Sequence, residues 1–225
     1  MKGKLIVIEG TDCSGKETQA KLLVDYIKKT GKRVERFSFP NYSSPTGKII
    51  GGPYLGKDYI CEGWFPEGST HVDPKVSSLY YAADRKYNID KIAYLIDNGV
   101  NVILDRYIHS NMAHQGGKYN TKEERLAMYK WLEKLEFDLL ELPQPDIKVF
   151  LHMPLAASEV LKQSRSEALD QNERDKDHLF KAEIAYKEVA NMYGFKTIEC
   201  AIDDNPRDIL NISKEVCDYV INRLS

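Results

Sequence analysis

Short apolar runs alternate along the chain with longer segments whose apolar residues recur every three or four positions. The longer segments predict amphipathic helices, and the short runs are typical of strands buried on both faces of a sheet. Strands that alternate with helices indicate a parallel sheet covered by helices on both sides, which is an α/β fold. The predicted strands are residues 4–9, 34–40, 100–105, 147–152 and 195–200.

Capping residues set the predicted helix ends. Asp73 followed by Pro74 is a strong helix start, and Gly99 lies just past the matching end, so a long helix is predicted between them. Thr121 opens a capping-box pattern at the start of another helix. The pair Asn205–Pro206 predicts the start of the last helix.

Residues 43–72 are rich in glycine and proline. They predict mainly a long surface excursion, over 51–72 in particular, with one helical turn. Loops of that length are usually functional or mobile.

The composition limits what the chain can bind. Its 225 residues predict one domain over 1–225. A formal net charge of −2 provides no field for a nucleic acid polymer or an anionic membrane. The first apolar run is too short for a signal peptide or a membrane span, so a cytoplasmic protein is expected. Scattered cysteines predict reduced thiols without a disulfide framework or zinc site; they are Cys13, Cys61, Cys200 and Cys217.

The stretch "GTDCSGKETQ" has the spacing of a phosphate-binding loop between a strand and a helix. Its glycines can turn successive N–H groups toward a phosphate, and the helix N-terminus and Lys16 add positive charge. A plain glycine turn with a chance lysine is the alternative, and the strand and helix on either side favour the phosphate loop. The predicted ATP-binding residues are Gly10, Thr11, Asp12, Cys13, Ser14, Gly15, Lys16, Glu17 and Thr18.

Glu17 stands where the motif has serine or threonine. A carboxylate in the first turn of a helix is favourable toward the helix dipole whatever the ligand, and this is one explanation. The other is that Glu17 binds Mg²⁺, directly or through water. Asp105, at the end of the third strand, is the second candidate for the metal.

Two further groups of residues suggest a ligand pocket. Arg106 follows Asp105 at a sheet edge and offers a planar fork for phosphate, although a surface Asp–Arg pair is the alternative. Tyr81 and Arg85 share one helix face and together can hold a base, whereas a single aromatic in a long helix is more often core.

The stretches "EGTDCSGK", "FPNY", "YAADR", "DRYIHSN" and "HQGG", in this order, resemble thymidylate kinases over nearly the whole chain. The resemblance implies a three-layer P-loop kinase fold with a five-stranded parallel sheet and a mobile lid. It also implies transfer of the γ-phosphoryl group of ATP to dTMP with Mg²⁺. Relatives are typically homodimers, and the long helix after Asp73 is the candidate interface by that resemblance.

The resemblance assigns roles to individual residues. Lys16 is similar to the lysine on the transferred phosphoryl group, Asp12 to the carboxylate near the acceptor 3′-hydroxyl, and Arg106 to the arginine on the acceptor phosphate. Arg85 and Asn111 match the groups that bind the thymine edge. The rest of the dTMP site is implied at Phe39, Pro40, Tyr42, Tyr81, Ser110, His114 and Gln115.

The family places a catalytic arginine in the phosphate loop or in the lid. Because Cys13 occupies the loop position, the resemblance implies a lid arginine. The lid is expected over about 154–178, with Arg165 and Arg174 as candidates and Arg174 preferred. A solvated charged helix is the alternative for this segment.

Two rival functions remain open at this stage. A related kinase for another nucleoside monophosphate is possible, since His114 stands where relatives usually carry an aromatic residue. A nucleotide-binding switch without turnover is the second, motivated by Glu17.

Overall fold

A five-stranded parallel sheet forms the centre of the molecule, as the sequence predicts. The computed structural model describes residues 2–162 and 171–224. The strand order is β2-β3-β1-β4-β5. These strands are β1 (Leu5–Gly10), β2 (Val34–Ser38), β3 (Asn101–Asp105), β4 (Ile147–His152) and β5 (Lys196–Glu199).

Helices cover both faces of this sheet. Two π-helical segments continue α2 and α5, over Ile50–Tyr54 and Lys134–Leu139 respectively. The α-helices are α1 (Lys16–Lys29), α2 (Pro45–Ile49), α3 (Pro74–Asp97), α4 (Ile108–Gly116), α5 (Lys122–Glu133), α6 (Leu155–Lys162), α7 (Gln171–Arg174), α8 (Lys176–Met192) and α9 (Ile209–Ile221).

The central strands are buried because each face of the sheet has its own apolar core. All six residues of β1 and all five of β3 are buried. On one face, Leu5 and Val7 pack with residues of α3, α4, α5 and α8. On the other, Ile6 and Ile8 pack with residues of α1 and α9. Continuous apolar strands are therefore explained by a sheet that is covered on both sides.

Two predicted helix starts are confirmed by their hydrogen bonds. The Asp73 side chain accepts from the backbone N–H groups of Lys75 and Val76 at the start of α3. Thr121 and Glu124 form the reciprocal capping box of α5.

The predicted start of the last helix at Asn205–Pro206 is wrong. These two residues form β7 (Asn205–Pro206), which pairs antiparallel with β6 (Ala201–Ile202). The helix α9 begins after Asp208, whose carboxylate accepts from the N–H groups of Leu210 and Asn211. Pro206 is tolerated in this short hairpin because its position needs no ladder N–H. Asp208 is the residue that caps α9, since its side chain accepts from two N–H groups of the first turn.

The excursion over 43–72 is more ordered than the sequence predicts. Helix α2 and the π-helical segment together span 45–54, which exceeds one turn. Tyr54 is buried, and its hydroxyl contacts the Ser69 carbonyl oxygen and the Ser77 hydroxyl at 3.0 Å each. Lys118 donates to the carbonyl oxygens of Ser69 and Val72. Buried aromatic and carbonyl contacts thus hold a segment whose composition is typical of a loop.

Candidate active site

The loop between β1 and α1 has the backbone conformation of a phosphate cradle. Cys13 and Gly15 have positive φ values of 57° and 75°. A side chain at Gly10 would bring its Cβ to 2.7 Å from the Leu151 carbonyl oxygen, so glycine is needed there. The Thr11 hydroxyl donates to the carbonyl oxygen of Met153, the residue after β4, at 2.7 Å.

Lys16 lies folded over this loop. It is buried, and its Nζ donates to the Thr11 carbonyl oxygen at 2.7 Å. Burial and the nearby charge of Arg106 lower the pKa of Lys16 to about 8. Asp12 and Asp105 oppose that shift, so the ammonium group is held by the carboxylates around it. A buried ammonium whose charge is incompletely balanced is suited to an added anion.

Arg106 follows β3 and points toward the phosphate loop. Its φ value of 67° is left-handed, which turns the side chain away from the direction that a continuing strand would give. Nη2 lies 3.0 Å from Asp12 Oδ1, and Nη1 lies 3.0 Å from the Tyr186 hydroxyl. Burial opposes ionisation of Asp12, but the charge and hydrogen bond of Arg106 and the charge of Lys16 act together, and the pKa of Asp12 lies well below its usual range.

Glu9 fixes the chain that follows Arg106, and the sequence does not reveal this role. Its buried carboxylate accepts from the N–H groups of Tyr107 and Ser110 at 2.8 and 3.0 Å and from the Ser110 hydroxyl. Ser110 in turn lies 2.8 Å from the Tyr186 hydroxyl. Because these partners are 76 to 101 residues apart in sequence, no local motif marks them.

A single open cleft of about 630 Å³ joins most of the predicted residues. It runs from the phosphate loop to the buried side of α3 and α4. Gly10, Thr11, Ser14 and Arg174 are the predicted residues that do not line it. Those that do are Asp12, Cys13, Gly15, Lys16, Glu17, Thr18, Phe39, Pro40, Tyr42, Tyr81, Arg85, Asp105, Arg106, Ser110, Asn111, His114 and Gln115.

The far end of the cleft is polar and closely packed. Arg85 is 2 % exposed and forms a two-pronged ion pair with Glu136, which has no exposed surface. Burial opposes its charge, but Glu136 raises the pKa of Arg85. Asn111 Nδ2 donates to the same carboxylate at 3.2 Å. Tyr81 packs edge-on against Tyr54 at 5.8 Å between ring centroids and also borders the cleft.

The turn after β2 is held by a residue that the sequence analysis did not identify. Phe39–Pro40 is a cis peptide bond, and the Phe39 N–H donates to the Asp105 carbonyl oxygen. Asp84 on α3 accepts from the Asn41 N–H at 2.8 Å and from the Thr46 hydroxyl at 2.7 Å. A buried carboxylate with several donors therefore positions the cleft wall.

Glu17 and Asp105 lie on either side of one guanidinium group. Glu17 is 63 % exposed at its side chain and lies 2.7 Å from Lys21 Nζ and 3.9 Å from Arg36 Nη2. Arg36 Nη1 lies 3.6 Å from Asp105 Oδ2. Within the described ranges, no group of three or more potential metal ligands occurs. One or two carboxylates together with substrate phosphates are a usual set for Mg²⁺, so the residues present fit that ion.

The expected lid lies partly outside the described residues, and so does Arg165. Arg174 is the last residue of α7, and its side chain is exposed. Asn172, in the same helix, lines the cleft and accepts from the Ser69 hydroxyl at 2.7 Å.

His114 borders the cleft between the phosphate loop and α8. Its Nδ1 lies 3.2 Å from Nε2 of His178, and the two rings are stacked. Burial lowers the pKa of His114 to about 3, so the ring is neutral near pH 7.

None of the helices in the described residues is long and apolar enough to cross a membrane.

A parallel sheet whose first strand leads through a glycine-rich loop into α1, with Lys16 over that loop, defines a P-loop kinase of the α/β class. Residues 8–209 match the family model described as Thymidylate kinase. The chain belongs to the thymidylate kinase family.

Individual relatives agree with this assignment. A thymidylate kinase from Schizosaccharomyces pombe is 34 % identical over 68 % of this chain and 62 % of its own length. The Homo sapiens thymidylate kinase is 32 % identical over 69 % of this chain and 63 % of its own length. The match thus spans less than two thirds of either relative. A solved thymidylate kinase from Candida albicans is 25 % identical, with a TM-score of 0.72, over 98 % of this chain and 92 % of that structure.

Proposed function

We propose that this protein transfers the γ-phosphoryl group of ATP to dTMP and forms dTDP and ADP. The observation that carries the proposal is that one cleft contains the phosphate loop, the cations of Lys16 and Arg106, and a buried polar pocket beyond them. The end of the cleft at the phosphate loop suits a triphosphate, and the end at Arg85 and Asn111 suits a base. Arg106, which can bind a phosphate, also lines this cleft.

The donor nucleotide is assigned to the phosphate loop over 10–18. Backbone N–H groups of the loop and the N-terminus of α1 would bind the outer phosphates. Lys16 would release the Thr11 carbonyl oxygen and turn its ammonium group to the transferred phosphoryl group. Mg²⁺, held by Asp105 and Glu17, would neutralise charge on the outer phosphate oxygens.

The acceptor phosphate is assigned to Arg106. An acceptor phosphate oxygen attacks the γ-phosphorus while the bond to the β-phosphate oxygen breaks, so charge shifts from one oxygen to the other. Asp12 and Tyr186 hydrogen-bond the guanidinium group of Arg106, and these contacts fix its orientation before the substrate binds. Arg174 is proposed to add a cation over the moving group when α7 closes over the cleft.

The thymine base is assigned to the far end of the cleft. Arg85 and Asn111 would bind its polar edge, with Gln115 beside them, and Tyr81 would stack on its face. Phe39, Pro40, Tyr42, Ser110 and His114 would surround the sugar and phosphate.

We also propose a cytoplasmic homodimer in which α3 forms the interface. Four exposed apolar residues lie along one face of this helix, and such a stripe is costly to leave in water. They are Val76, Leu79, Tyr87 and Tyr94, with relative exposures of 42 %, 50 %, 61 % and 67 %.

An acceptor panel tests the proposed activity. ADP release is measured with ATP, Mg²⁺ and each of dTMP, dUMP, dCMP, dGMP and UMP, and Lys16→Met serves as the inactive control. The highest kcat/KM is expected with dTMP. A higher value with dGMP or UMP would assign the chain to a kinase of another monophosphate.

A further inference from the structure

Glu136 joins the two residues assigned to the base, and nothing in its sequence context marks it. It lies in the π-helical segment Lys134–Leu139, a distortion that is common at functional sites. Its carboxylate accepts from Nε and Nη2 of Arg85 and, through Oε1, from Nδ2 of Asn111 at 3.2 Å. The side chain is completely buried.

This contact fixes which side of the Asn111 amide faces the cleft. A carboxylate that pairs with an arginine only accepts hydrogen bonds, so the amide nitrogen must be the atom that faces Glu136. The Ser78 carbonyl oxygen, 3.4 Å from Nδ2, is a second acceptor on the same side. Oδ1 is therefore turned away from both, and it is buried without a hydrogen-bond partner among the described residues. Such an acceptor is poised for a donor from a ligand.

The same carboxylate also orients Arg85. It engages Nε and Nη2, and Nη1 is the nitrogen that it does not engage. Arg85 and Asn111 both line the cleft. A ligand therefore meets a guanidinium donor next to an amide acceptor. The complementary ligand edge is an acceptor next to a donor.

We propose that Glu136 is the positioning residue that selects a 4-keto over a 4-amino pyrimidine. A keto pyrimidine offers O4 as acceptor and N3–H as donor, which complements Arg85 and Asn111. A 4-amino pyrimidine offers an amino donor and a bare N3 acceptor, so both contacts are reversed. The amino group would then face the donor Arg85, and N3 would face the acceptor Oδ1 of Asn111. A buried mismatch of this kind is costly. This inference rests on the proposed function, since it deepens the assignment of that same pocket.

The native protein provides the first test, which does not depend on any variant folding. Isothermal titration measures the Kd of dTMP, dUMP, dCMP and N3-methyl-dTMP. We expect dUMP to bind within about tenfold of dTMP, because its edge is the same, and dCMP and N3-methyl-dTMP to bind about 100-fold more weakly. Binding of dCMP within threefold of dTMP would overturn the inference.

Glu136→Gln tests whether the carboxylate is the cause. Glutamine supplies one oxygen where glutamate supplies two, so it cannot satisfy Arg85 and still hold Asn111 as firmly. We expect the dTMP-to-dCMP affinity ratio to fall about tenfold while the Kd of ATP is unchanged. A merely structural role would weaken both pyrimidine ligands equally and leave the ratio unchanged, and that result would also overturn the inference.

Glu188→Gln is the matched control. Glu188 forms a similar two-pronged ion pair with Arg125, at 2.9 and 2.6 Å, away from the cleft. Its substitution should leave the affinity ratio unchanged. Turnover of dTMP by the native protein, measured in parallel, separates the two proposals. Without turnover the proposed function fails, whereas turnover with an unchanged ratio in Glu136→Gln refutes only the role of Glu136.

Discussion

At the scale of single residues, the carboxylate after the phosphate-loop lysine is the clearest departure from the motif. Glu17 contacts Lys21 at 2.7 Å, and Arg36 lies between Glu17 and Asp105. The charges of Lys21 and Arg36 reduce the repulsion between Glu17 and a triphosphate. Glu17 itself lines the cleft. Both roles that the sequence leaves open for Glu17, start of a helix and ligand of the metal, are compatible with this position.

We expect Glu17→Gln to raise the affinity for metal-free ATP about threefold and to lower turnover with Mg²⁺. The reason is that a negative charge beside bare phosphates repels them, whereas with the metal present the same charge becomes an attractive contact. Titration of ATP with and without Mg²⁺ measures both effects. Glu35→Gln, an exposed charge on β2, is the control. Parallel changes in the two titrations would mean that Glu17 only starts α1.

We expect His114→Phe to increase the preference for deoxyribonucleotide over ribonucleotide acceptors by about tenfold. The neutral imidazole is small and can hydrogen-bond a 2′-hydroxyl, whereas a phenyl ring fills that space and cannot. The ratio of kcat/KM for dTMP and its ribo analogue measures the effect, with the KM of ATP as the internal control. An unchanged ratio would assign His114 to packing against His178.

The polar partners of the site were beyond sequence analysis for a physical reason. The phosphate loop, Asp105 and Arg106 could be located because each lies at a strand end with a local pattern. Glu136 and Asp84 contact site residues that lie 25 to 51 positions away in sequence, so these pairings depend on how the helices pack.

At the scale of elements, apolar runs locate the central strands β1, β3 and β4 because these strands are buried on both faces of the sheet. The sequence does not predict α4, because this helix is buried on nearly all sides and several of its buried residues are polar and line the cleft. It therefore lacks the apolar stripe of an amphipathic helix. The sequence predicts the start of the last helix too early because Asn followed by Pro is typical of a helix start. In the structure, Asn205–Pro206 instead forms β7, which pairs with β6.

Asp208→Ala should lower the free energy of unfolding by about 1 kcal/mol, because it removes the side chain that accepts from two N–H groups at the start of α9. Asn205→Ala should cost less than half as much. Urea unfolding of both variants provides the comparison. A larger loss of stability in Asn205→Ala than in Asp208→Ala would contradict the capping role of Asp208.

At the scale of the whole molecule, the core that joins α4 to the sheet contains a buried histidine. His109 packs edge-on against Tyr193 and Phe195, and burial, with a smaller effect of Lys148, lowers its pKa to about 3. An unfolded histidine titrates near pH 6.5. Between these values the unfolded chain binds a proton that the folded chain does not, so stability falls as the pH falls.

We expect His109 to contribute a loss of about 1.4 kcal/mol per pH unit below pH 6.5, until the pH approaches 3. His109→Phe should make the curve of unfolding free energy against pH shallower by that amount. His71→Gln, at an exposed turn, is the control for the loss of a histidine. Equal slopes in the native protein and His109→Phe would contradict the account of this core.

Phosphoryl transfer between two bound nucleotides is the proposed activity of the cleft. The direct measurement is to incubate the protein with ATP, Mg²⁺ and dTMP and to quantify ADP and dTDP by anion-exchange chromatography. We expect ADP and dTDP to form in equal amounts, both only when dTMP is present, and Lys16→Met to lower the rate by about 100-fold or more. If both nucleotides bind but no dTDP forms, the protein is a nucleotide-binding switch and the account is contradicted.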